Sequence, residues 1–85
     1  MPRRRTSAEL TAVLAGRTLS FRKFERAIVE IGFHLERIQG SHRIYVHPMV
    51  PRPLNIQPRG KDAKAYQVQQ CRDMILEFNL LGNGE

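Results

Sequence analysis

The chain has 85 residues, with fourteen Lys or Arg against eight Asp or Glu and a formal charge of +6. That is room for one small domain and excludes a large multi-domain enzyme. At 41% hydrophobic and 26% charged, it has the balance of a folded domain and is too apolar for a disordered basic tail. Cys71 is the single cysteine, which excludes an internal disulfide framework and a multi-cysteine zinc module. Stability then rests on a small core, and a stabilising partner is expected. No apolar stretch approaches the roughly 20 residues that cross a bilayer. Arg3-Arg4-Arg5 leads into a polar segment, not an apolar signal core. The expected compartment is the cytoplasm, with no membrane partner.

In chain order, Thr6 and Glu9 have capping-box spacing before Leu10, Val13 and Leu14, and Gly16 follows as a stop, so a short N-terminal helix is expected. Ser20 is the expected N-cap of the next helix, whose stripe is Phe21, Phe24, Ala27, Ile28 and Ile31 and whose stop is Gly32. Phe33 can fold back on its last turn. His34 to Gln39 reads as a strand, Gly40 as a turn, and Ser41 to His47, with Ile44, Tyr45 and Val46, as a second strand. Pro48, Pro51 and Pro53 predict a stiff connection, Leu54 to Gln57 a third strand, and Pro58-Arg59-Gly60 a break. After Asp62, Val68, Cys71, Ile75 and Phe78 recur at helical spacing, with Met74 widening the face. The expected fold is α+β, in the order helix, three strands, helix, with both helices on one face of an antiparallel sheet. The other face stays open.

Charge is uneven along the chain. Residues 37 to 61 hold Arg37, Arg43, Arg52, Arg59 and Lys61 and no acid, a stretch that attracts a polyanion or serves only as a solvated surface. Within it, His42 follows Gly40-Ser41, where a flexible backbone and a hydroxyl let phosphate approach. A histidine there can take the proton of a ribose 2′-OH for attack on the adjacent phosphorus, a step that needs no metal. The residue pattern also allows His42 to cap the turn or hydrogen-bond locally. Tyr45 can stack on a base or cover the core. His34 and His47 lack carboxylate or thiolate support for a metal, and Cys71 reads as a small buried hydrophobe. Phosphate-loop, dinucleotide, zincin and Gly-x-Ser-x-Gly motifs are absent from the sequence.

Ile31-Gly32-Phe33, Arg37-Ile38-Gln39-Gly40-Ser41-His42, Tyr45-Val46-His47-Pro48 and Asn55-Ile56-Gln57-Pro58 with Gly60-Lys61 resemble, in this order, the HicA toxins of toxin–antitoxin pairs. The resemblance covers roughly residues 18 to 81, leaving 1–17 as a basic extension with room for one short helix and 82–85 as a tail. It implies a double-stranded-RNA-binding-domain-like fold and an mRNA-cleaving endoribonuclease that needs neither metal nor other cofactor. The histidine of Gly-Ser-His, here His42, would be catalytic. Arg37, Gly40, Ser41, Arg43, Tyr45, His47, Arg59 and Lys61 are the expected RNA contacts, and a HicB-like antitoxin the expected protein partner. Arg43 and Arg59 stand where many relatives carry further histidines, and Tyr66-Gln67-Val68 replaces a Gly-Thr-Leu-like opening of the last helix. The alternatives are a non-cleaving RNA-binding module of the same fold and a basic protein-interaction module.

Overall fold

The computed structural model describes residues 6–81. Three helices and a three-stranded antiparallel sheet make an α+β fold of the expected α-β-β-β-α type, with one helix added in front. Helix α1 spans Ala8–Leu14, α2 Phe21–Glu30 and α3 Ala65–Glu77. The sheet holds β1 (His34–Gln39), β2 (His42–His47) and β3 (Val50–Ile56) in that spatial order. A separate two-stranded hairpin, β4 (Pro58–Arg59) and β5 (Asp62–Ala63), precedes α3.

All three helices stop by the same device. In α2 the amide of Gly32 donates to the carbonyl of Val29 and that of Phe33 to Ile28, the paired bonds of a Schellman motif. Gly32 takes φ 103°, a left-handed value that a side chain resists. Phe33, just past the stop, is buried in the core as the sequence predicts. Gly16 and Arg17 close α1 through Val13 and Ala12, and Leu80 closes α3 by donating to Ile75 after Asn79 turns left-handed. At the other ends, Ser20 caps α2 by accepting from the amide of Lys23. The cap of α1 is Ser7 and not Thr6: its hydroxyl accepts from the amide of Leu10 at 3.0 Å and itself donates to the Glu30 carboxylate. The capping-box spacing was therefore misplaced by one residue.

Helix α1 packs into the same core as the rest. Leu10 and Val13 are fully buried with Phe24, Ile28, Phe33, Leu54, Ile56, Cys71 and Met74. Each large side chain of this kind stabilises the fold by about 1.5–3 kcal/mol when taken from water. Arg72 on α3 also donates its Nε to the carbonyl of Leu14 at 2.8 Å, satisfying a terminal carbonyl of α1. The expected N-terminal extension thus holds a helix that shares the core. Arg3 to Arg5 and the tail 82–85 lie outside the described residues.

One strand expectation needs correction. Pro51 and Pro53 lie inside β3, not in a connection before it. Strand β3 is at the sheet edge, and its pairing with β2 shifts register between Tyr45 and His47, opposite the prolines, so their missing N–H groups leave no gap in a central ladder. Pro58-Arg59-Gly60 does follow the end of β3, which stops at Ile56, and the chain then makes a separate hairpin in which Gly60, at φ 63°, turns β4 into β5. That hairpin is tied to α2 by the amide of Phe21, which donates to the carbonyl of Lys61 at 2.8 Å.

Candidate active site

Which face each strand residue takes follows from register. Leu54 pairs with Tyr45 and Ile56 with Arg43; Leu54, Ile56 and Tyr45 belong to the buried cluster, so this set faces the helices. Side chains one step away lie on the opposite, uncovered face: His42 beside Gln39, and Ile44 between Arg37 and Asn55. The open face is therefore built from Arg37, Gln39, His42 and Asn55, all exposed, around the buried Ile44.

His42 begins β2 immediately after the Gly40-Ser41 turn, where Gly40 takes φ 60°. A glycine in the first central position of a two-residue hairpin loop suits the twist of the flanking strands. The His42 ring is held by a side chain that sequence reasoning had given no role: Nδ1 lies 2.9 Å from Oδ1 of Asn55. A carboxamide oxygen only accepts, so this contact is a hydrogen bond when Nδ1 carries the hydrogen, and in the neutral ring that leaves the lone pair on Nε2. The available signal was an asparagine in mid-strand, where it is disfavoured, between the core residues Leu54 and Ile56.

Several expected RNA contacts take other positions. Arg43 is on the helix face, its Nε 3.5 Å from the Glu25 carboxylate and its guanidinium 5.8 Å from the centre of the Phe21 ring. Tyr45 is 4% exposed and donates its hydroxyl to Glu25 at 2.8 Å, so its ring covers the core and offers no face to a base. Burial first, and then the hydrogen bond to and negative charge of Glu25, raise its hydroxyl pKa above the ordinary phenol value.

His47 is consumed by backbone. Its Nε2 donates to the carbonyl of Ile31 at 2.8 Å, and Nδ1 accepts from the amide of Met49 at 3.0 Å. Its ring meets Phe33 edge-on with centres 5.0 Å apart. With both nitrogens engaged, it pins the end of β2 to the stop of α2 and has no atom left for phosphate. Arg52 is drawn to Glu77 at 3.1 Å and lies over Phe78.

Arg37, Gly40, Ser41, Arg59 and Lys61 are exposed. Arg37 and Gly40-Ser41 share the His42 side of the sheet or its turn. Arg59 and Lys61 belong to the β4–β5 hairpin, and Arg59 lines a cleft with Pro58, Lys64, Ala65 and Tyr66 at the start of α3. Gln67, a second residue missed from sequence, follows Tyr66 on α3 at 4% exposure. Its side-chain oxygen accepts from the amide of Gln57 at 3.1 Å and so joins α3 to the end of β3. Cys71 is fully buried, which pushes its thiol up to about 12, and it is not a nucleophile.

Comparison with known proteins adds one finding. The family model described as HicA toxin of bacterial toxin–antitoxin matches residues 21–74. The chain belongs to the HicA toxin family. The matched HicA region starts with α2, takes in the whole sheet and the β4–β5 hairpin, and ends within α3; helix α1 precedes it. No curated protein and no solved structure matches the chain. Membership makes this HicA chain a toxin-family component of a toxin–antitoxin pair. Among the described residues, no helix is long and apolar enough to cross a membrane.

Proposed function

We propose that this HicA-family protein is an endoribonuclease that cleaves mRNA without a metal, with His42 as general base. The lone pair of Nε2 takes the proton of a ribose 2′-OH. The freed oxygen attacks the adjacent phosphorus, the bond to the 5′-oxygen breaks as that oxygen takes a proton from water, and the hydroxide so formed takes up the proton held on Nε2. The products are a 2′,3′-cyclic phosphate and a 5′-hydroxyl, so atoms and charge balance with no redox partner. Gly40 and Ser41 let the backbone approach the phosphodiester, and Arg37, Arg59 and Lys61 attract it. A HicB-like antitoxin neutralises the toxin by covering the open sheet face.

The observation that supports this reading is the exposed His42 ring with one nitrogen engaged by Asn55 and no protein partner at the other among the described residues. The decisive experiment incubates purified protein with RNA in chelator beside His42→Ala. Cleavage by the wild type alone, leaving cyclic-phosphate ends, is the expected result. Equal loss of RNA in both samples, or in neither, rejects the assignment. RNA bound by both and cut by neither identifies a non-cleaving binding module.

A further inference from the structure

We infer that Asn55 is a positioning residue whose side-chain oxygen holds His42 in the Nδ1–H tautomer and aims Nε2 at the incoming 2′-hydroxyl; this rests on the proposed role of His42 as base. Four observations carry it. The Oδ1 to Nδ1 distance is 2.9 Å, within ordinary hydrogen-bond range. Asn55 is itself held, because its neighbours Leu54 and Ile56 are both fully buried in the core and its strand partner Ile44 is 5% exposed. His42 has no such anchorage, being exposed at the first residue of a strand after a glycine turn, so without a partner its ring is free to rotate. Finally, asparagine is a poor strand residue, and its presence between two core anchors costs local preference without adding to the core.

The chemical consequence is specific. A neutral imidazole has one donor and one acceptor nitrogen, and a base needs the acceptor to face the proton it removes. Free imidazole side chains in water favour the hydrogen on Nε2, which would present a donor to the substrate hydroxyl. An acceptor at Nδ1 reverses that preference. As the proton arrives on Nε2, the ring becomes an imidazolium whose Nδ1–H still points at the amide oxygen, so the same bond strengthens as charge develops. Asn55 touches no reacting atom.

Nitrogen-15 correlation spectra of the histidine rings in the full-length protein, at a pH where they are neutral, read the tautomer directly. Wild type is expected to show His42 as Nδ1–H, and Asn55→Ala to show mainly Nε2–H with an unchanged melting temperature, as befits an exposed residue. Cleavage by Asn55→Ala should fall about tenfold to a hundredfold in kcat, the usual cost of losing a partner that orients a functional histidine, with KM little changed. Asn55→Asp, which keeps the acceptor, should restore the Nδ1–H tautomer and most of the rate. An Nε2–H ring in wild type, a tautomer indifferent to Asn55→Ala, or a shifted tautomer with an undiminished rate each overturns the inference while leaving His42 as base. Conversely, His42→Ala cutting as well as wild type removes the base itself, and the spectra still decide what Asn55 does to the ring.

Discussion

His42 and His47 stand at opposite ends of one six-residue strand, and the strand treats them in opposite ways. His42 spends one nitrogen on a side chain and turns the other to solvent, whereas His47 spends both on backbone and packs its ring against Phe33. Their difference comes from face and surroundings: one lies on the uncovered side of the sheet, the other beside the stop of α2. Residue type near a basic segment therefore says less about chemistry than the account of where each nitrogen's hydrogen bond goes. The same division separates the cations. Arg43, Arg52 and Arg37 each meet a carboxylate, of Glu25, Glu77 and Glu36 respectively, while Arg59 and Lys61 are exposed on the β4–β5 hairpin.

Exchanging the two histidines for alanine gives the largest contrast. His42→Ala should lower RNA cleavage by about 10²- to 10⁴-fold, the range for a positioned general base, and leave the melting temperature unchanged. His47→Ala should instead cost about 1–3 kcal/mol, because it strands a carbonyl and an amide, while a folded sample still cleaves. Equal effects of both on cleavage at matched stability would erase the distinction.

Gly32→Ala comes next. A Cβ there would lie 2.8 Å from Nε2 of His47, on a backbone at φ 103°. The strain and the displaced His47 bond together predict a loss of about 2–3 kcal/mol, measured by denaturant unfolding. Adding His47→Ala to Gly32→Ala should give less than the sum of the two, since both break one contact.

The covered side can also be probed by alkali. Cys71, raised to about 12 by burial, and Tyr45, raised by burial and Glu25, hold their protons more tightly in the folded chain than in the unfolded one. As pH rises the unfolded state loses these protons first, so their contribution is complete below about pH 8.5 and is lost progressively above it. The melting temperature should fall across that alkaline range, and less steeply in Cys71→Ala and Tyr45→Phe. The smallest expected effect belongs to Arg52→Ala, where an exposed ion pair and a cation–π contact contribute about 0.5–1 kcal/mol. RNA affinity should fall less in that variant than in Arg37→Ala, because both arginines meet a carboxylate but only Arg37 lies on the His42 face of the sheet.

Much of this was legible in the amino-acid order, for reasons that are local. Helix phase follows from apolar spacing, and the ends of α1 and α2 from Gly16 and Gly32, because a left-handed residue closes a helix without reference to anything distant. The β1–β2 hairpin, with His42 beside its glycine, follows from Gly40 between two strand-forming runs. Prolines misled because their cost in a strand depends on whether the strand is an edge, and edge position is a property of the whole sheet. Alternation along β2 separates Tyr45 from Ile44 but does not say which side the helices cover; that choice, and with it the core fate of Tyr45, was made by Phe24, Leu54, Ile56 and Met74 closing on one face. Likewise, nothing local joins residues 42 and 55 or 31 and 47. Those pairs exist because β3 folds back along β2 and β2 ends against α2, and hydrogen bonds across such distances in sequence are decided only when the packed elements bring their atoms within reach.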